Sequence, residues 1–219
     1  MKKLTCSLLL GLTAAASAWA GTPLWMRDVR ISPDGSQIAF CYKGDLYKVN
    51  AQGGEAVRLT SQASYESSPV WSPDGRQIAF ASDREGNMDV YVMPADGGSA
   101  RRLTYNSASE VPTAFSPDGQ KVYFNAALQD PASSALFPPS AMTELYAVPV
   151  TGGRTEQVLA TPAEMICFLN DGKGSFLYQD RKGFEDEWRK HHTSSVTRDI
   201  WRYNAATGRH TNLTHRATY

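Results

Sequence analysis

A tetrapeptide recurs along this 219-residue chain: Ser32-Pro33-Asp34-Gly35, Ser72-Pro73-Asp74-Gly75 and Ser116-Pro117-Asp118-Gly119. A degenerate copy follows at Asn170-Asp171-Gly172, so the aspartates fall at 34, 74, 118 and 171. Two further markers run in phase with it. Gly53-Gly54, Gly97-Gly98 and Gly152-Gly153 each follow an aromatic-aliphatic run, and Gly208 stands for the pair in the fourth copy. Leu59-Thr60, Leu103-Thr104, the weaker Leu159-Ala160-Thr161 and Leu213-Thr214 close the units. Repetition at this period constrains the fold more than any other feature, because each unit must bury its apolar face against the next.

The second copy shows the local physics best. Pro69-Val70-Trp71 reads as a short strand, and Ser72-Pro73-Asp74-Gly75 as a tight turn. Proline sets φ at the second position, aspartate bonds its own backbone, and glycine supplies a left-handed residue. Gln77 to Ala81 is the next strand, with Ile78 and Phe80 on one face and Ala79 and Ala81 on the other. Asp83 to Asn87 is a polar hairpin loop. Val90-Tyr91-Val92-Met93 is apolar on both faces and predicts cover on both sides. Ala100 to Thr104 reads as an outer strand, its Arg101 and Arg102 facing water at the edge.

Four short strands in about 40 residues, with glycine turns at fixed phase, define a propeller blade. The expectation is an all-β propeller with blades at about 24–60, 66–104, 110–161 and 162–214, all within residues 21–219. A sandwich or a solenoid of hairpins would not need three markers in register. Propellers use about four to eight blades, but four blades of this repeat type would make an unusually small ring, so an incomplete ring of a larger, six-bladed propeller is expected. An open stack leaves the fourth blade's face uncovered. Cys41 and Cys167 lie on the first and fourth blades, too far apart across a six-bladed ring for a disulfide. Both are expected free and buried.

Residues 1–20 stand apart. Lys2 and Lys3, the apolar Leu4 to Ala18 and the Ala18-Trp19-Ala20 pattern read as a signal peptide. The expected product is periplasmic or secreted, with no membrane association after cleavage. Its removal leaves 20 basic against 22 acidic side chains, a net charge of −2. That balance argues against a nucleic-acid partner.

Two copies carry insertions. Residues 128–142 lengthen the third blade's middle loop, and 183–198 the fourth blade's. Arg181, Lys182, Arg189, Lys190, His191 and His192 form a basic cluster that could hold a peptide carboxylate or dock a neighbouring domain. The competing reading is a mixed-charge loop, since Glu185, Asp186 and Glu187 lie among them. Adjacent His191 and His192 point to opposite sides of an extended segment and make a poor metal pair. Asp83 to Asp89 lacks the ligand series of a calcium loop. The chain has no G-x-S-x-G elbow; Gly97-Gly98-Ser99-Ala100-Arg101 is the nearest approach. No catalytic residue, cofactor or metal is expected, and Asp34, Gly35, Asp74, Gly75, Asp118 and Gly119 are structural turn positions.

The repeat P-x-W-S-P-D-G-x-x-I-A-F, followed by D-[IV]-Y, G-G and L-T, resembles the TolB-like propeller repeat over residues 26–214. Arg189 to Trp201, Leu136-Phe137-Pro138, Glu144-Leu145-Tyr146 and Asn212-Leu213-Thr214-His215 resemble the N-terminal propeller of bacterial tricorn protease homologues. The resemblance implies a non-catalytic segment of an exported serine peptidase, truncated before its catalytic part. That segment would guide peptides or scaffold the assembly. Its partners would be further blades and a catalytic domain, a peptide, or a second copy of the chain. Alternatives are a stand-alone TolB-like protein-binding module and the propeller of a prolyl-oligopeptidase-type hydrolase lacking its catalytic domain.

Overall fold

The computed structural model describes residues 25–128, 143–180 and 198–214. Among these, sixteen strands make four four-stranded antiparallel sheets, each in simple chain order. The first sheet holds β1 (Arg27–Ile31), β2 (Gln37–Tyr42), β3 (Asp45–Asn50) and β4 (Val57–Arg58). The second holds β5 (Glu66–Trp71), β6 (Gln77–Ser82), β7 (Asp89–Pro94) and β8 (Arg101–Arg102). The third holds β9 (Glu110–Phe115), β10 (Lys121–Ala126), β11 (Glu144–Pro149) and β12 (Glu156–Leu159). The fourth holds β13 (Glu164–Phe168), β14 (Phe176–Gln179), β15 (Ile200–Asn204) and β16 (Arg209–Asn212).

The turn between the first two strands of each sheet follows from its residues. Gly75 N–H donates to Ser72 O at 2.9 Å, closing the turn. Ser72 Oγ donates to Asp74 Oδ1 at 2.6 Å and accepts from Gln77 N–H at 2.9 Å. Asp74 Oδ1 also accepts from Arg76 N–H at 3.1 Å. Gly75 sits at φ 70°, in the left-handed region where a Cβ is unwelcome. The same bonds recur through Asp34 with Gly35 at φ 74°, and through Asp118 with Gly119 at φ 70°.

Sheet stacks on sheet through a repeated ring pair. Phe40–Tyr47, Phe80–Tyr91, Phe124–Tyr146 and Tyr178–Trp201 stack at centroid distances of 5.7, 5.8, 5.7 and 6.4 Å, one pair per sheet. From the second sheet on, the pair presses on the sheet before it. Phe80, Tyr91 and Met93 cover Cys41 and Leu46. Phe124, Tyr146, Val122 and Val148 cover Ala79, Val90, Val92 and Leu103. Phe176 and Tyr178 pack with Leu145, Tyr123 and Val158. Fully burying one such ring contributes about 2 kcal/mol, so the stability lies in the seams between sheets.

The innermost strands neighbour one another in the order β1, β5, β9, β13. No strand of the fourth sheet pairs with the first among the described residues, so the propeller is open and incomplete. Equivalent positions report this directly. Val90 on β7 is fully buried by the third sheet, whereas Ile200, at the same place on β15, is 47% exposed.

Two expectations are corrected. The outer strand of the second sheet is only Arg101–Arg102, and Arg102 is not a plain edge residue: its Nη2 lies 2.7 Å from the buried Asp89 Oδ2. The Asp89 carboxylate, buried at the start of β7, draws the guanidinium inward. Cys41 and Cys167 are both free, but only Cys41 is buried. Cys167 lies on an innermost strand and opens to the central concavity.

Candidate functional site

The innermost strands are not regular. Their pairing slips between Arg27 and Arg30, between Ser67 and Val70, and between Glu164 and Cys167. The bulged residues Asp28, Ser68 and Met165 take φ values of 51°, 52° and 51°. Pro112 holds the corresponding place in β9, where its ring fixes φ negative. Such bulges bend a strand and re-aim its neighbours. Here they also bridge sheets: Asp28 Oδ2 accepts from Ser68 N–H at 3.0 Å, and Thr113 Oγ1 accepts from Ile166 N–H at 3.1 Å. Trp71 Nε1 donates to Arg30 O at 3.1 Å. Cys41 packs behind Asp28; burial first, then the Asp28 charge, pushes its thiol up to about 12.

These strands converge on a concavity of about 600 Å³ at the propeller axis. Its wall is mainly apolar, through Ile31, Val70, Trp71, Phe115, Ile166 and Phe168. Arg30 supplies a cation and Cys167 an exposed thiol. An apolar wall with few polar groups is the composition of a binding surface. Among the described residues it does not bring together a nucleophile and a base. His210, the one histidine among the described residues, shares a 2.9 Å hydrogen bond with the Tyr178 hydroxyl and packs at a tilt against the Tyr203 ring. Burial pushes Tyr178 up to about 12, so the phenol stays protonated and the pair is structural.

The seams carry polar links that the sequence reading did not find. Thr60 Oγ1 accepts from Leu46 N–H at 2.9 Å and donates to Glu66 Oε2, across the first seam, at 3.0 Å. Thr104 Oγ1 likewise accepts from Val90 N–H at 2.9 Å. At the third seam Ala160 stands in the threonine's place and the fully buried Ala163 in the glutamate's, so both partners are replaced together. The signal was present: glutamate follows Leu-Thr by six residues in the first two copies.

The sequence-derived basic cluster, Arg181, Lys182, Arg189, Lys190, His191 and His192, lies outside the described residues, as does the leader 1–20. Asp34, Gly35, Asp74, Gly75, Asp118 and Gly119 form three turns near the inner strand ends. Ser32 and Ser36 hold the Asp34 carboxyl down to about 2. Asp83 to Asp89 is a hairpin loop in which Gly86 N–H donates to Asp83 O at 2.9 Å.

Fold and concavity together define a β-propeller module. The sequence model described as "Tricorn protease N-terminal beta propeller domain" matches residues 23–219, and the chain belongs to that family. The crystal structure of the tricorn protease superposes with a TM-score of 0.67 at 22% identity, covering 90% of this chain and 19% of that one. A putative TolB from Agrobacterium tumefaciens gives 0.65 at 23% identity, covering 88% and 66%. An uncharacterised peptidase, YuxL, of Bacillus subtilis (strain 168) is 39% identical over 71 residues, 30% of this chain and 11% of its own length. The chain therefore spans about a tenth of that relative.

Proposed function

We propose that this chain is the non-catalytic propeller of an exported tricorn-like serine peptidase, and that its axial concavity guides polypeptide past the four innermost strands. The observation that carries the reading is the apolar wall from Ile31 to Phe168, with Arg30 as its cation, in a chain of the tricorn N-terminal propeller family. Such a wall receives an extended peptide without demanding a sequence. The leader pattern at residues 1–20 supports export to the periplasm or beyond. The basic cluster from Arg181 to His192 would take a peptide carboxylate or dock the following domain. Serine nucleophile and base would come from elsewhere in the assembly.

A photo-cross-linker on Cys167 tests the reading in the protein with Cys6 changed to serine. The buried Cys41 leaves Cys167 as the labelled thiol. The reading predicts cross-links to an unfolded test polypeptide, competed by excess peptide. Equal labelling by a folded bystander protein, without competition, would overturn it. The likeness to a TolB structure supports a second reading, a module that recruits a folded protein partner; cross-links to folded protein alone would favour it.

A further inference from the structure

The second seam carries a carboxyl pair that the first seam's chemistry does not explain. Glu66 and Glu110 open β5 and β9 at the same place, and both are fully buried. Glu66 sits among donors: Thr60, Ser64, Ser82 Oγ at 3.1 Å and Arg84 Nη2 at 3.3 Å. The pairings Glu66 with Ser82 and Glu110 with Ala126 put Ala126 and Leu128 where Ser82 and Arg84 stand. A hydroxyl and a guanidinium are thus lost around Glu110. It keeps Thr104 and Asn106, and its backbone N–H donates to Met88 O at 2.7 Å, which sets its carboxyl beside that of Asp89. Glu110 Oε2 and both Asp89 oxygens otherwise lack a hydrogen-bond donor of good geometry.

Two carboxylates in contact are both acceptors and repel, so one of them must hold a proton. Arg102, 2.7 Å from Asp89 Oδ2, fixes the negative charge on Asp89. We propose that Glu110 is a protonated carboxylic acid in the folded protein, donating to ionised Asp89, and that this shared proton makes the seam between second and third sheets a pH-sensitive latch.

The surrounding charges agree. Burial and, less, Glu85 in the β6–β7 loop raise Asp89 as well, but Asp89 alone has a guanidinium beside it, Arg102 on β8, which favours its ionised form. Arg84 is committed to Glu66 and lies 4.4 Å from the Tyr91 ring centroid. The Tyr91 hydroxyl is buried and protonated, and Ala126 and Leu128 bring no charge from the β10 side. Burial, then the Asp89 charge, raises Glu110 above its ordinary value of 4.5. The folded chain therefore binds more protons than the unfolded one above that value. The latch is fully made below it and lost as pH rises through the folded value.

Carboxyl ¹³C NMR on the protein labelled in glutamate tests this without a variant. One glutamate should stay protonated to higher pH than the solvated ones, whose ordinary value is 4.5, and Glu110→Gln should abolish that signal. Asp89→Asn, which removes the acceptor charge and frees Arg102, should shift the same signal to lower pH. The melting temperature of the parent protein should fall relative to Glu110→Gln as pH rises above 4.5 and through the folded value of Glu110. Every glutamate titrating with its ordinary value, or parallel melting curves, would overturn the proposal.

Discussion

Leu103 and Leu213 hold the same place in the second and fourth sheets, in the Leu-Thr pair that closes each unit, yet Leu103 is fully buried and Leu213 is 53% exposed. The third sheet lies over the first of these leucines, and nothing described lies over the second. The side chain is the same, so the difference measures what a following blade contributes. Leu103→Ala should cost about 2–5 kcal/mol. Leu213→Ala should cost less than about 0.5 kcal/mol in this chain. Urea unfolding of the two variants checks the contrast.

The turn glycines carry conformational cost rather than steric cost. A Cβ on Gly75 would meet Pro33 Cδ at 3.9 Å, an ordinary contact, but φ is 70°. Gly75→Ala should therefore destabilise by about 1–2 kcal/mol through the backbone alone. Gly75→Asn should cost less, since asparagine tolerates this region.

The turn aspartates set the acid limb of stability. Serine hydroxyls and backbone N–H groups bond the ionised forms of Asp34, Asp74 and Asp118 and hold all three below the usual 3.8. A depressed folded value gives stability that is present above 3.8 and lost as pH falls through the folded value, near 2 for Asp34. Replacing the three with asparagine should flatten the melting-temperature profile below about pH 4, because the titrating groups are gone. An unchanged acid limb would assign it elsewhere.

The two thiols should separate cleanly. Cys41 is buried behind Asp28 and pushed up to about 12, whereas Cys167 is exposed at the axis. With Cys6 changed to serine, a thiol reagent at about pH 8 should modify Cys167 quickly and Cys41 only after unfolding, since the thiolate is the reactive form. Fast reaction of both would place Cys41 wrongly.

Much of the architecture is legible in the residues because turns and strands are local. Ser72-Pro73-Asp74-Gly75 specifies its turn without reference to the rest of the chain, and the all-apolar Val90 to Met93 announces a strand covered on both faces. What escapes the sequence is what depends on one sheet meeting the next. Arg102 reads as a water-facing edge residue until the seam brings Asp89 under it. Thr60 reads as a strand end until Glu66 of the following sheet arrives to accept its hydrogen bond. The left-handed bulges at Asp28, Ser68 and Met165 carry no residue signature, since aspartate, serine and methionine share no local preference for them. Cys167 reads as core because its neighbours Ile166 and Phe168 are apolar, although the bulge before it turns its strand toward the axis.

Residue-resolved hydrogen exchange on Phe124→Ala tests most directly whether sheets are stabilised by their neighbours. Phe124 belongs to the third sheet but is fully buried against the second, and its truncation should cost about 3–5 kcal/mol. Protection should fall in β6 and β7 of the second sheet as well as in β10 and β11. Loss confined to β9 through β12, with the second sheet unchanged, would contradict it.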